Sequence, residues 1–445
     1  MSLAKNKPVV IVGGGVSGLT LAYLLVQRDI PTVLIEKEKR PGGLARSFRY
    51  GDFVFDIGPH RFHSDLPVVS NLILDVLGAR ALTISRHSSV RFAGTSYPWP
   101  LQPSLALFRF PLRVSLGILR DLLTLYRISP AATFKDYIVN MYGRTLFELF
   151  FEGYSSKFLG VVPELTHLDW AKTGIDRSII DKRLQISSLR QLLLAALLPS
   201  RHPPLRFLYP AGGCDQFTVE LAARFQSKGG ELICGSGVDG LELDRDGTIR
   251  AVRAGGRQWE ASAVVWTGDL HTLLGLLGLP RPKLKYLSLV CYNLMLTDGA
   301  PFPFQWCYHG APDIIFSRVS SPAGFDPALV PPGRRSLCVE VTAPDDKGAF
   351  LEPEKFLERV VFDATRERLL VTAQEVIDVR TERIPYAYPV YSLDYRDELD
   401  RVQRALATTA NLYPFGRQGQ FWYNNMDHCI EAALELADRL TAARV

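Results

Sequence analysis

The sequence predicts an α/β protein: a Rossmann-like parallel-sheet lobe, assembled from three separated stretches of chain and interrupted by two insertions. Three observations predict it. A short β-branched run, a glycine-rich turn and an apolar helix open the chain. Strand and helix patterns return over residues 205–275 and again over 381–445, giving one discontinuous lobe with 1–75. The remaining stretches read as a mainly helical insertion, 76–204, and a strand-rich insertion, 276–380, with turns such as Pro331-Pro332-Gly333.

At 445 residues the chain exceeds one ordinary core. A composition of 47% hydrophobic and 22% charged residues excludes disorder, collagen and coiled coil. The formal net charge of +5 is spread along the chain; it helps attract an anionic small molecule and does not point to nucleic acid. Cys214, Cys234, Cys291, Cys307, Cys338 and Cys429 are scattered without CxxC spacing, which favours a reducing compartment over a disulfide framework or zinc site. The apolar run from Val9 to Val26 is broken by clustered glycines and reads as strand–turn–helix, so the expected location is the cytoplasm.

The first element, residues 8–12, is a strand. Gly13, Gly15 and Gly18 follow as GxGxxG, with Val16 and Ser17 inside the turn and an apolar helix over 19–27. Such glycines allow a tight turn and close backbone approach, so a helix N-terminus can hold a pyrophosphate. A second strand, 32–35, ends in Glu36-Lys37, placing a carboxylate where it binds a ribose diol. In the second stretch, Tyr209-Pro210-Ala211-Gly212-Gly213 opens a helix over 216–226. Strands near 231–234 and 240–243 follow, with Val238 a candidate for adenine contact and a hairpin turn at Asp246-Gly247. A buried strand, 261–266, and a third return at 411–415, then Gly416-Arg417 and a helix to Leu440, complete the lobe.

In the helical insertion Leu112, Leu116, Leu119 and Leu123 recur at helical spacing, interleaved with Arg113, Arg120 and Arg127. This pattern suits either a helix lying on a membrane surface or one packing within its own lobe; the second is the expectation. The run over 192–198 is too short to span a bilayer.

The segment after Glu36 carries Arg40-Pro41-Gly42-Gly43-Leu44-Ala45-Arg46-Ser47. It resembles the extended FAD motif of the amine oxidase and protoporphyrinogen oxidase superfamily, and so implies FAD, not NAD, on a GR2-type flavoprotein fold. Gly43, Leu44, Ala45 and Arg46 are then cofactor contacts. Phe55-Asp56-Ile57-Gly58-Pro59-His60-Arg61-Phe62-His63-Ser64 looks like the flavin-facing loop of UDP-galactopyranose mutases. The resemblance continues at Glu152-Gly153-Tyr154 to Gly160, Tyr209 to Gly213, Tyr388 to Tyr391, and Gly416-Arg417 with Tyr423-Asn424-Asn425-Met426-Asp427-His428.

That resemblance implies an FAD enzyme acting through reduced flavin N5 on a nucleotide-linked sugar or other anionic glycoside. A second expectation is an amine oxidase or protoporphyrinogen oxidase-type oxidoreductase taking hydride from its substrate; a third is a flavin-binding protein without catalysis. Gly58 and Pro59 let a turn approach the flavin, leaving His60 and His63 near the reactive centre. Asn424 or Asn425 caps the last helix, whose N-terminus, with Met426 and Arg417, stabilises negative charge on a reduced flavin. Arg318 and, by looser alignment, Arg177 are the expected phosphate cations. Tyr388 and Tyr391 are expected at the substrate phosphate, and Trp170 and Phe158 are candidates for stacking on a base. The His60–His63 pair finds no further ligand cluster, so no metal is expected.

Overall fold

A computed structural model of the chain describes residues 7–92, 95–99, 111–124, 130–175, 188–191 and 205–444. Arg127, Arg177 and the run 192–198 lie outside the described residues.

Five strands form a parallel sheet in the order Leu412–Pro414, Ala263–Trp266, Val9–Val12, Thr32–Glu36, Glu231–Cys234. Distant parts of the sequence therefore share one hydrogen-bonded ladder, with Val9 opposite both Ala263 and Thr32. Val9–Val12 and Thr32–Glu36 are buried at every residue, which is why they read as continuous apolar runs without alternation. The helix Val16–Val26 is likewise buried along its whole length, packed by Met426–Ala442 and Asp215–Ser227. Burial on all sides explains the unbroken apolar run from Val9 to Val26. Among the described residues no helix is long and apolar enough to cross a membrane.

The second sheet has seven strands in the order Val376–Val390, Lys285–Leu296, Arg335–Ala343, Arg318–Ser320, Trp306–His309, Ser88–Phe92, Thr95–Pro98. It is antiparallel except where Trp306–His309 pairs with Ser88–Phe92. Ser88–Phe92 and Thr95–Pro98 come from the stretch expected to be mainly helical. In the first of them Ser88, Val90 and Phe92 are buried in alternation, the period-two signature of a strand. Ala81–Ser85, from the same stretch, pairs with Arg206–Pro210.

The helix Leu112–Thr124 packs within its lobe through Val114, Ile118 and Leu122, not through the four leucines of the expected stripe. Ile118 and Asp121 are buried, and the Asp121 carboxylate accepts the Thr145 N–H at 2.6 Å. Leu112, Leu116, Leu119 and Leu123 are 55–75% exposed. The apolar stripe faces outward, and Gly117, with no Cβ, lets the helix lie close against Thr145.

Candidate active site

A cavity of about 390 Å³ opens where Val12, Glu36 and Trp266 end their strands. The carboxyl edge of a parallel sheet is where α/β folds bind ligands, because loops diverge there and helix N-termini converge. One part of the wall is mostly backbone. Gly13, Gly15, Val16 and Ser17 form the turn into the first helix. That helix start carries no side-chain cap and no acidic residue in its first turn, so its N–H groups remain available to an anion. A Cβ added at Gly15 would have Gly43 Cα, 3.8 Å away, as its nearest neighbour. The glycine therefore leaves open space and does not relieve a protein clash.

Glu36 is buried and oriented by backbone: its carboxylate accepts the Gly14 N–H at 2.6 Å and the Glu38 N–H at 2.9 Å. Lys37 and Val238 line the cavity beside it. Gly43, Leu44, Ala45 and Arg46 line the facing wall, held by the Gly42 N–H donating to Gly14 O at 2.8 Å. Arg46 donates to Gly43 O at 3.0 Å and pairs with Glu38 at 3.6 Å.

The other part of the wall is built from side chains. Asp56 anchors the loop that carries Pro59 and His60. Its buried carboxylate accepts from Ser47 Oγ and Tyr209 OH, both at 2.6 Å, and from the Cys214 N–H at 3.0 Å. Burial pushes the Asp56 carboxyl up to about 6. These bonds tie the returning segment at Tyr209 to the loop, and Arg49 adds a fork to Asp215 at 2.7 and 2.9 Å. His60 lines the cavity with Nδ1 3.3 Å from Gly58 O. Burial, then the charges of Arg417, Arg318 and Arg61, push its imidazole down to about 4, so it is neutral at pH 7.

Arg318 reaches the cavity, but its charge is balanced. It forks Glu340, itself 1% exposed, through Nε at 2.6 Å and one terminal nitrogen at 2.5 Å. The same nitrogen donates to Tyr388 OH at 3.2 Å. Arg417 donates to Ala387 O at 3.3 Å and to Asn424 O, and sits 5.2 Å from the centre of the Tyr423 ring. Asn425, not Asn424, caps the helix Met426–Ala442, its side chain and that of His428 exchanging bonds with the first-turn backbone. Asn425 and Met426 line the cavity, as does Asn424, whose buried Nδ2 has no hydrogen-bond partner among the described residues.

Several expected residues stand elsewhere. Gly58 does not line the cavity; its φ of +66° and the Glu340 carboxylate, 2.6–2.7 Å from an added Cβ, are what require glycine there. Gly18 and Gly416 also lie behind the wall, the first against Gly13 O and the second against Ser17 Oγ. His63 is exposed and outside the lining, because Phe62 turns inward onto Phe217 and leaves its neighbour on the outer side. Tyr391 is 2% exposed, stacked on Tyr395 at 4.4 Å and bonded to the Tyr423 N–H at 2.9 Å, so it supports the wall and does not face a ligand. Trp170 is covered by Tyr423, stacked at 5.0 Å, and Phe158 by Tyr388 at 4.9 Å; neither offers a face to a base.

Tyr308 and Tyr423 complete the wall and Glu340 stands behind it; sequence reasoning assigned a role to none of the three. Glu340 left a signal: one carboxylate within the apolar run 337–341 of the strand Arg335–Ala343, whose burial requires a cationic partner.

Residues 11–76 match the family of NAD(P)-binding Rossmann-like domains. Coproporphyrinogen III oxidase of Staphylococcus aureus is 33% identical over 99 residues, 21% of each chain. A lycopene-forming phytoene desaturase of Pseudescherichia vulneris is 26% identical over 422 residues, 82% of each chain. The dTDP-fucopyranose mutase of Escherichia coli is 27% identical over 162 residues, 35% of this chain and 42% of the mutase. Among solved structures, reduced UDP-galactopyranose mutase superposes with a TM-score of 0.83 at 21% identity, covering 98% of this chain and 96% of the other. A protein of Exiguobacterium sp. 255-15 named for protoporphyrinogen oxidase superposes at 0.75 and 17% identity, covering 98% and 99%. With the sheet orders and the glycine turn above, these likenesses show a Rossmann-like flavoenzyme fold, and the chain resembles enzymes of the amine oxidase superfamily.

Proposed function

We propose that the protein is an FAD-dependent enzyme that takes an anionic, nucleotide-linked sugar, in the manner of the nucleotide-sugar mutases it resembles. The observation that carries this reading is the side-chain wall: His60, Arg318, Tyr388, Arg417 and Tyr423 face the same cavity as the dinucleotide turn. The open space at Gly15, the uncapped helix start and the unpartnered Asn424 Nδ2 fit FAD. Val16 and Ser17 would hold its diphosphate, Glu36 its ribose hydroxyls and Val238 its adenine, with Lys37 and residues Gly43 to Arg46 as further contacts. Bound there, FAD supplies a ring nitrogen that exchanges hydride and, when reduced, acts as a nucleophile.

The chain's own groups do the rest. Arg318 donates to Tyr388 OH, which leaves the tyrosine's own proton to donate into the cavity. Neutral His60 gives or takes a hydrogen bond without adding charge. The N-terminus of Met426–Ala442 favours negative charge beside it. Aromatic rings and buried pairs exclude water from the wall, strengthening each electrostatic contact.

The test compares oxidised and dithionite-reduced holoprotein with UDP-galactopyranose and its furanose isomer, followed by chromatography. Interconversion in the reduced form alone is expected. Equal rates in both forms overturn the mutase reading. The desaturase relative, matched over 82% of each chain, favours a second reading as an oxidoreductase. Anaerobic bleaching of the flavin by an amine, porphyrinogen or polyene supports that one.

A further inference from the structure

The arginines of the cavity differ in what they hold. Arg318 is spent on Glu340, Arg417 on two backbone carbonyls, and Arg46 on Gly43 O and Glu38. Arg86 donates to Ser88 Oγ at 2.8 Å. Arg61 is different. It lines the same cavity, is half-buried, and among the described residues none of its N–H groups meets a hydrogen-bond acceptor or a paired carboxylate.

Its surroundings fix it without satisfying it. The guanidinium carbon sits 5.1 Å from the centre of the Trp306 ring and 5.8 Å from that of Phe207. Trp306 is 1% exposed and lies nearly parallel to Phe325, so this floor is rigid. Arg86 sits over the same Trp306 ring, also at 5.1 Å, placing a second cation nearby. Asp427 is the acid whose field reaches Arg61, while Arg318 repels it. A guanidinium stacked on an aromatic ring keeps its in-plane donors directed outward, where they match two oxygens of one anionic group. A desolvated cation with unused donors costs free energy until an anion supplies the missing bonds.

We propose that Arg61, supported from behind by Trp306 and Phe207, is the anion-recognition residue of this cavity, receiving a phosphate or carboxylate group of the substrate with Arg86 beside it. The proposal deepens the functional reading above and rests on its cavity, but it does not depend on the substrate being a nucleotide sugar. It reassigns the main electrostatic contact from Arg318, whose charge Glu340 neutralises, to a residue on the His60 loop.

The test uses FAD-loaded wild type, Arg61→Gln and Arg61→Lys, titrated calorimetrically with inorganic pyrophosphate, malonate, UDP and uridine. Flavin content and thermal midpoint are recorded for each. Pyrophosphate or malonate identifies phosphate or carboxylate as the preferred anion. In Arg61→Gln the affinity for that anion and for UDP is expected to fall about 10- to 100-fold, the scale of a charged hydrogen bond. Uridine binding and flavin content stay unchanged, and Arg61→Lys recovers part of the loss with weaker dependence on anion shape. Anion affinity within twofold of wild type in Arg61→Gln overturns the proposal, even if UDP binds tightly and the functional reading survives. Wild type that binds pyrophosphate or malonate but gains nothing from the uridine of UDP keeps Arg61 and overturns the nucleotide reading. Wild type that binds none of these anions overturns both.

Discussion

The two halves of the cavity are made of different material. The turn half is backbone: Gly15 leaves space, the first helix offers N–H groups, and even the Glu36 carboxylate is oriented by main-chain donors. Most of it comes from one stretch between Val12 and Arg46, with residues 236–238 and 266–269 beside it. The opposite half is side chain. His60, Tyr308, Arg318, Tyr388, Arg417 and Tyr423 arrive from separate elements, and buried ion pairs and stacked rings hold them in register. Backbone recognition tolerates little at a few positions. Side-chain recognition spreads its dependence over many contacts, each replaceable at a cost.

The largest expected effect breaks the backbone half alone. Gly15→Leu fills the space at the turn while its nearest protein neighbour stays 3.8 Å from the new Cβ. The variant should fold and purify without flavin, read as lost absorbance at visible wavelengths with a native circular dichroism spectrum.

The next breaks the other half. Arg318→Ala strands the Glu340 carboxylate in the core, and losing one partner of a buried pair costs about 3–5 kcal/mol. Urea unfolding should report that loss, and Arg318→Met combined with Glu340→Leu should regain most of it by removing both charges. If the single variant is as stable as wild type, the pair is not what holds this wall.

A smaller effect sharpens the comparison through pH. The His60 imidazole is near 4 folded and near 6.5 unfolded. The unfolded chain therefore binds the extra proton between those values. This contribution is complete above about pH 6.5 and is lost as pH falls towards 4, at most about 3 kcal/mol. Asp56, raised to about 6 when folded, acts in the opposite direction over part of the same range. The His60 part is read as the difference in urea midpoint between wild type and His60→Gln at pH 4.5 and pH 7. A difference that does not change with pH refutes it.

This contrast also explains what could be read from the sequence. Backbone recognition leaves glycines at fixed offsets, so Gly13, Gly15 and Glu36 were legible from spacing, and Gly43 through the resemblance to the extended FAD motif. Their neighbour Gly18 was legible as a glycine but not as one serving helix packing. Side-chain convergence leaves no local period. His60 and His63 looked equivalent until the chain turned Phe62 inward, and Tyr388 and Tyr391 until Tyr391 stacked on Tyr395. Arg318 announced a cation but not that Glu340, aligned across from it on the neighbouring strand, would claim it. The strands Ser88–Phe92 and Thr95–Pro98 pair with each other, but the strand that joins them to the sheet, Trp306–His309, lies far along the chain and left no local signal.

The contact between Gly58 and Glu340 has a practical consequence for redesign. The tight bend that aims the imidazole also makes room for the acid that steadies the guanidinium, so positions 58, 318 and 340 behave as one mechanical unit. Libraries meant to retune the pocket for another ligand should vary these three together, since single changes at any of them will be charged to the other two.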